Sequence, residues 1–218
     1  QSSSELCAAE KSLGGDSVLD LTCGLGVDTL ALSRKFKRVV SCERDEVLAA
    51  ITRHNLKLLG VDNVVVENCS AEEYLSSTTE HFDWVFVDPD RRGEQGEKLV
   101  LLEDCSPNIV ALYPRIREVA DKLCIKSSPL FDTAEAMRKF EQCSVEVVSL
   151  GGECKEVNIY VDDTTPMPLQ ISGNRANNEA LLFDGVSWAP ERTIYWGEGK
   201  SDVYAYYPYM DIVDVDEQ

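Results

Sequence analysis

The sequence has no Cys-x-x-Cys pair, and its two histidines, His54 and His81, stand outside any metal-ligand spacing. Its eight cysteines occur singly, as Cys7, Cys23, Cys42, Cys69, Cys105, Cys124, Cys143 and Cys154. That distribution argues against a zinc site and against a disulfide framework. Most of these thiols fall beside predicted strands, where free cysteine packs as a small hydrophobe. The usage suits a reducing, cytoplasmic setting. No apolar run approaches the ~20 residues of a membrane-spanning helix, and no signal peptide is expected. Basic residues are scarce. Lys and Arg total 21 against 39 Asp and Glu, a formal charge of -18. So acidic a chain repels nucleic acid at long range, so any RNA contact requires a local basic patch or a separate basic domain. There is no internal repeat. The chain opens on Gln1-Ser2-Ser3-Ser4 without an initiator Met, and is expected to be a piece of something longer.

What is present suffices for one substantial core with a small appendage, since 44% of the 218 residues are hydrophobic. The organising stretch is Val18–Thr29, Val-Leu-Asp-Leu-Thr-Cys-Gly-Leu-Gly-Val-Asp-Thr. Val18 to Leu21 read as a buried strand. Gly24 and Gly26 let the backbone turn sharply without a Cβ, and from Val27 the apolar pattern is helical. Strand, glycine turn and helix form the first unit of a nucleotide-binding α/β sheet.

Around that unit the chain alternates. A helix is expected from about Glu5 to Leu13, capped by Ser4 and ended by Gly14-Gly15. The helix after the turn runs to about Lys35, followed by a strand at Arg38–Cys42. Helical spacing of Val47, Leu48, Ile51 and Leu58 predicts a helix over 46–59 with His54 on its packed face. A strand at Asn63–Glu67 precedes a short helix at Ala71–Leu75 with Ser70 as its cap. Phe82–Val87 is a continuous apolar strand, as one covered on both faces should be. A helix over Ser106–Glu118 is expected to kink or split at Pro114. Lys122–Lys126 is the fifth strand, followed by a helix over Asp132–Cys143 and strands at Val145–Leu150 and Lys155–Val161. The Gly151-Gly152 connection is too short for a parallel crossover, so the last two strands should be antiparallel. The expectation is therefore a Rossmann-like, doubly wound α/β domain with a seven-stranded sheet over 1–163, followed by a small β-rich C-terminal extension over 164–218 with an acidic, disordered tail at Asp211–Gln218.

The identity of the nucleotide turns on what the glycine motif omits. A dinucleotide site would have Gly-x-Gly-x-x-Gly, but Thr29 stands where the third glycine should be. No Gly-Lys-Ser/Thr follows for a triphosphate. Asp20 and Asp28 flank the turn, which disfavours a phosphate and suits a cationic ligand. S-adenosylmethionine (SAM) answers that description. Asp20 could accept from its amino group, and the turn amides near Gly24 could hold its carboxylate. Glu43 is placed for the ribose hydroxyls, and Ser70 with Ala71 for the adenine edge.

The segments Asp-Leu-Thr-Cys-Gly-Leu-Gly-Val-Asp, Cys-Glu-Arg-Asp and Val-Asp-Pro-Asp-Arg-Arg, in this order and spacing, resemble the class I SAM-dependent methyltransferases. More narrowly, they are similar to the bacterial THUMP-like methyltransferases, related to trimethylguanosine synthase and RNA guanine-N2 methyltransferases. The resemblance covers residues 1 to about 163. It implies that Ser3 and Ser4 lie near the amino-acid end of SAM, and that Thr22, Asp28 and Arg44 belong with Asp20, Gly24, Gly26, Glu43, Ser70 and Ala71 on the cofactor side. It also implies that Asp88 and Pro89 start an amino-group methylation loop. There a carboxylate and the proline carbonyl accept hydrogen bonds from the target NH2 and aim its lone pair at the methyl group. This chain departs from the pattern after Pro89. Asp90 replaces a second proline, and Arg91 replaces a stacking aromatic. Asp90, Arg91, Arg92 and, on the same rim, Lys126 become candidate substrate contacts. The function implied is methylation of an exocyclic amino group of guanine in RNA, with RNA affinity supplied by a THUMP-like module. The charge favours a protein or small-molecule acceptor instead, and the altered loop also allows a SAM-binding scaffold without catalysis. No metal and no membrane enter any of these readings.

Overall fold

A computed structural model describes residues 5–91, 101–129, 131, 136, 138–140, 143–150, 153–162, 170–172, 181–182, 195–196, 200–201 and 210–215. The chain forms two compact units, Gln1–Lys126 and Ser127–Gln218. No helix among the described residues is long and apolar enough to cross a membrane.

The first unit holds strands β1 (Gly15–Asp20), β2 (Phe36–Cys42), β3 (Val64–Glu67), β4 (Phe82–Val87) and β5 (Ala120–Ser127). They are parallel throughout and lie in the order β3-β2-β1-β4-β5. Between them run α1 (Glu5–Glu10), α2 (Val27–Ser33), α3 (Glu46–Leu58), α4 (Ala71–Ser77) and α5 (Ile109–Val119). The chain leaves β1 on one side for β2 and β3, then returns to its other side with β4 and β5. Such a reversal, here between β1 and β4, is the switch point at which α/β sheets bind ligands beside the carboxyl ends of the strands. In the middle of the sheet, Phe82, Trp84, Val85, Phe86 and Val87 of β4 are all buried. Asp83 interrupts that run because its Oδ2 accepts from the backbone N–H groups of Asp16 (2.5 Å) and Ser17 (3.1 Å) at the start of β1.

Several boundaries differ from the sequence reading. α1 ends at Glu10, and Gly15 opens β1 instead of ending a helix. Lys11 leaves the helix with its side chain drawn into the interior by Asp28. The face of α3 is reversed. Ala49, Thr52 and Leu56 are buried, whereas Val47, Ile51 and Leu58 are exposed, as is His54. The packed face sets Ala49 and Leu56 against Cys23 and Val66, with Thr52 against the glycine turn. α5 stays one helix through Pro114 and starts later than expected, capped by the Asn108 side chain on the N–H of Ala111 at 2.9 Å.

In the second unit, β6 (Cys143–Leu150) and β7 (Glu153–Asp162) are antiparallel, as the short connection required. Cys143 therefore belongs to a strand. Of the helix expected before it, residues 136, 138 and 139 are helical, 140 is not, and 132–135, 137, 141 and 142 lie outside the described residues. Beyond residue 163 are short strands, β8 (Gln170–Ser172), β9 (Leu181–Leu182), β10 (Tyr195–Trp196) and β11 (Lys200–Ser201), then β12 (Met210–Val215). β12 pairs in parallel with β6 from Met210 to Val215, so the described part of the expected disordered tail is a strand. Its Met-Asp-Ile-Val-Asp-Val sequence carries enough β-branched residues to pair despite its acids. Helices alternating with β1 to β5, and then an antiparallel β6–β7 hairpin, are the elements of the Rossmann-like, seven-stranded doubly wound fold expected, with a β-rich extension after them.

Candidate active site

The site begins with Asp20, the last residue of β1. It is fully buried, and all of its bonds serve the turn. Oδ2 accepts from the hydroxyls of Thr29 (2.6 Å) and Ser41 (2.7 Å), and Oδ1 accepts from the N–H of Thr22 (3.0 Å). Burial pushes its carboxyl up to about 6, the three hydrogen bonds oppose the shift, and the charge of Asp28 adds to it. Asp20 thus does not face a ligand, as its sequence position suggested. It ties the strand, the turn and α2 together. Thr29 occupies the place of the missing third glycine, and it supplies one of those hydroxyls. Thr29 and Ser41 were not singled out in the sequence, although the departure at Thr29 was itself the signal.

The turn has left-handed backbone at Gly24 (φ 54°) and Gly26 (φ 80°), which only glycine adopts without strain. The two glycines differ in surroundings. A Cβ at Gly24 would meet nothing within 4 Å, so open space lies beside it. At Gly26 a Cβ would fall 2.6 Å from the Thr52 methyl of α3. Thr52 also donates to the Gly24 carbonyl at 3.0 Å. Glu43, just past β2, points back at this turn. Its Oε2 accepts from the N–H of Gly24 at 2.8 Å and its Oε1 from that of Asp45 at 2.8 Å. Each oxygen keeps a further lone pair for a diol. Asn68 donates to the carbonyl of Glu43 at 2.8 Å, fixing the end of β2 to that of β3. Ser70 and Ala71 open α4. The Ser70 hydroxyl accepts from the N–H of Glu73 (3.1 Å), whose carboxylate accepts from the N–H of Ser70 (2.8 Å), a capping box. Ser70 therefore shapes this edge of the site first of all as a helix cap.

Past β4, Asp88 donates its N–H to the Thr22 hydroxyl at 2.7 Å, so Thr22 links the turn to the next loop. Pro89 is buried. Asp90 exchanges backbone hydrogen bonds with Ser106 at 2.7 and 2.9 Å. Arg44 reaches the Ser106 hydroxyl at 3.4 Å, and so touches the base of this loop from the end of β2. Arg91 holds a buried Nη1 that has no hydrogen-bond partner among the described residues. Lys126 does not stand on the rim as expected. It is buried at the end of β5, with Nζ 2.7 Å from Asp88 Oδ2 and 3.2 Å from Asp28 Oδ2. Asp28 in turn pairs through Oδ1 with Lys11 at 2.8 Å. Lys11 is a site residue that the sequence reading passed over, and nothing in its neighbourhood of the sequence marked it. Ser3, Ser4 and Arg92 lie outside the described residues. Among the described residues no group of three or more His, Cys, Asp or Glu is placed to hold a metal ion.

Residues 5–104 match the sequence family described as Conserved hypothetical protein 95. A tRNA/tmRNA (uracil-C(5))-methyltransferase of Neisseria meningitidis serogroup A (strain Z2491) is 29% identical over 151 residues, 58% of this chain and 41% of that protein. An uncharacterised S-adenosylmethionine-dependent methyltransferase of Mycobacterium tuberculosis (strain H37Rv) is 30% identical over 150 residues, 69% of this chain and 40% of that one. Among solved structures, a protein of Porphyromonas gingivalis W83 assigned to the methyltransferases superposes with a TM-score of 0.67 at 28% identity, over 84% of this chain and 47% of its own. Together with the switch point and the strand-end acids, these likenesses define a class I SAM-dependent methyltransferase domain. The chain spans less than half the length of each of these relatives.

Proposed function

We propose that this chain transfers the methyl group of SAM to an exocyclic amino group of guanine in RNA. The observation that carries this reading is the Asp88 carboxylate at the carboxyl end of β4, beside the switch point. Its Oδ2 is held by Lys126, and its Oδ1 has no hydrogen bond among the described residues. An acceptor-only oxygen in that place suits an N–H donor. The residues also fit the cofactor. Gly24 borders open space, and Glu43 keeps acceptor capacity for two hydroxyls. When bound, SAM supplies a methyl group on a positively charged sulfur that is already a good leaving group. The protein's own part is positioning. Glu43 takes the ribose, Ser70 and Ala71 border the adenine, and Ser3 and Ser4 attend the amino-acid end. Asp88 and the Pro89 carbonyl orient the accepting nitrogen. Asp20, Thr22, Gly26, Asp28 and Arg44 hold these groups in place. Asp90, Arg91 and Arg92 meet the RNA, with the guanidinium groups gripping phosphate or stacking on a base. A THUMP-like module supplies the affinity that a chain of charge -18 lacks.

The Neisseria relative is named for carbon methylation at uracil C5. That carbon becomes nucleophilic only after a thiolate adds to the ring. Here burial, then the charge of Asp20, push the Cys23 thiol up to about 11, and burial raises Cys42 as well. Thiols held protonated make poor nucleophiles, so neither Cys23 nor Cys42 suits that role. The acidic charge favours one other reading, a protein or small-molecule acceptor.

Calorimetry with SAM and a labelled-methyl assay on total RNA and on total protein test these readings. SAM binding with label in RNA is the expected result. Asp88→Ala is expected to lower transfer at least ~100-fold, the scale on which misplaced acceptors lose rate, while SAM still binds. Label in protein alone favours the second reading. Binding without transfer leaves a non-catalytic scaffold. No SAM binding overturns all three.

A further inference from the structure

Lys126 was expected on the rim facing substrate, yet it is 6% exposed and committed to two carboxylates. Behind it the charges alternate. Lys11 Nζ meets Asp28 Oδ1 at 2.8 Å, Asp28 Oδ2 meets Lys126 Nζ at 3.2 Å, and Lys126 Nζ meets Asp88 Oδ2 at 2.7 Å. Lys11 is 2% exposed and lies 5.8 Å from the centre of the Phe86 ring, a cation–π distance. The four residues come from four places in the chain. These are the link between α1 and β1, the first turn of α2, the end of β5, and the loop after β4. Each is fixed in a rigid element or directly beside one.

Such an arrangement is poorly explained as a source of stability. Burying charges costs about as much as their attraction returns, and apolar residues of similar volume do at least as well. What a buried ion chain does supply is orientation, because each group can satisfy its charge in only one geometry. Here the free end of the chain is Asp88. It is the most exposed of the four, at 23%, and its N–H is held by Thr22.

Resting on the methyl-transfer reading, we propose that Lys126 is a positioning residue, backed by Asp28 and Lys11, that holds Asp88 Oδ2 so that Oδ1 alone meets the acceptor N–H. An unrestrained carboxylate would rotate and share both oxygens with water. Restrained, it offers one acceptor at a fixed place relative to the switch point. The lysine therefore serves the reaction without touching RNA or SAM.

The test uses the full chain, SAM and total RNA, with kcat and SAM affinity measured separately. Lys126→Met is expected to lower kcat at least ~10-fold, the lower part of the range seen for lost positioning, with SAM affinity within about threefold. Asp28→Asn is expected to lower kcat less, because Lys126 keeps Asp88. In an Asp88→Ala background, Lys126→Met should cost nothing further. That non-additivity is a signature a packing defect would not produce. Amine-reactive labelling read by mass spectrometry adds a readout independent of activity. Lys126 and Lys11 should resist a reagent that readily modifies Lys37, which is 79% exposed. If Lys126→Met does not fold, Lys126→Arg and Asp28→Asn carry the test. Arg keeps the charge but not the point geometry, so it should fold and still lose kcat. A wild-type chain that binds SAM but transfers nothing overturns the catalytic reading and this proposal together. An active wild type whose Lys126 variants keep full kcat overturns the proposal alone. So does an Asp88→Ala background in which the Lys126 cost persists.

Discussion

Substituting alanine for Gly26 should destabilise the protein through two separable effects. The first is conformational. Gly26 has φ 80°, and an alanine in the left-handed region costs roughly 1–2 kcal/mol. The second is steric. The new Cβ would lie 2.6 Å from the Thr52 methyl, closer than two carbons can approach. Thr52 cannot easily turn away. It is buried, it is β-branched within α3, and its hydroxyl is held by the Gly24 carbonyl at 3.0 Å. Forcing a methyl into such a place costs about 1–3 kcal/mol. The sum is about 2–5 kcal/mol. Thr52→Ser removes the obstructing methyl and keeps the hydroxyl, at a cost of about 1 kcal/mol for the small cavity. The double variant should then recover the steric part and retain the conformational part. Urea unfolding of the four proteins, followed by circular dichroism, measures the coupling. It should be about 1–3 kcal/mol in favour of the pair. If the two single costs simply add, the close approach of α3 to the turn is not what requires glycine at this position.

Asp20 and Thr22 give two further expectations. The Asp20 carboxyl is raised from 3.8 to about 6 by burial, so between those values the folded state holds a proton that the unfolded state has lost. Stability therefore falls as pH rises from about 4 to 6 and is level above that. The full effect is about 3 kcal/mol at 1.36 kcal/mol per unit. Asp20→Asn should flatten that slope, and parallel curves for the two proteins between pH 4 and 7 would refute the assignment. Thr22→Val keeps shape but removes the acceptor of the Asp88 N–H, and should cost about 1–3 kcal/mol. Hydrogen exchange at the Asp88 amide should accelerate, and an unchanged rate would mean that Thr22 does not hold the loop.

Much of this fold was legible because backbone chemistry wrote it into the residue types. Gly24 and Gly26 announced the turn, the apolar run of β4 announced a strand covered on both faces, and Gly151-Gly152 announced the antiparallel hairpin. Ser70 announced a helix start. What escaped was set by tertiary packing. Periodicity ranked the faces of α3 by their apolar residues, but the face that meets Cys23, Val66 and the glycine turn carries Ala49, Thr52 and Leu56. The acids Asp20, Asp28 and Asp88 were read from the sequence as candidate site residues, but the direction each side chain takes was not readable. Asp20 turns inward because Thr29 and Ser41 wait there with hydroxyls. Lys11 and Lys126 are 115 positions apart, and only the folded chain brings both to Asp28.

The backbone bridge between Asp90 and Ser106 has a consequence for how such a site can diversify. Two hydrogen bonds close the segment at its base, directly beyond Asp88 and Pro89. Lengthening a loop whose ends are already joined costs little, about 0.6 kcal/mol for each doubling. Insertions and replacements between those two residues can therefore accumulate without moving the carboxylate on the near side of the bridge. On the proposed reading, acceptor preference could in this way change between Asp90 and Ser106 while the Asp88 carboxylate stays where the sheet ends.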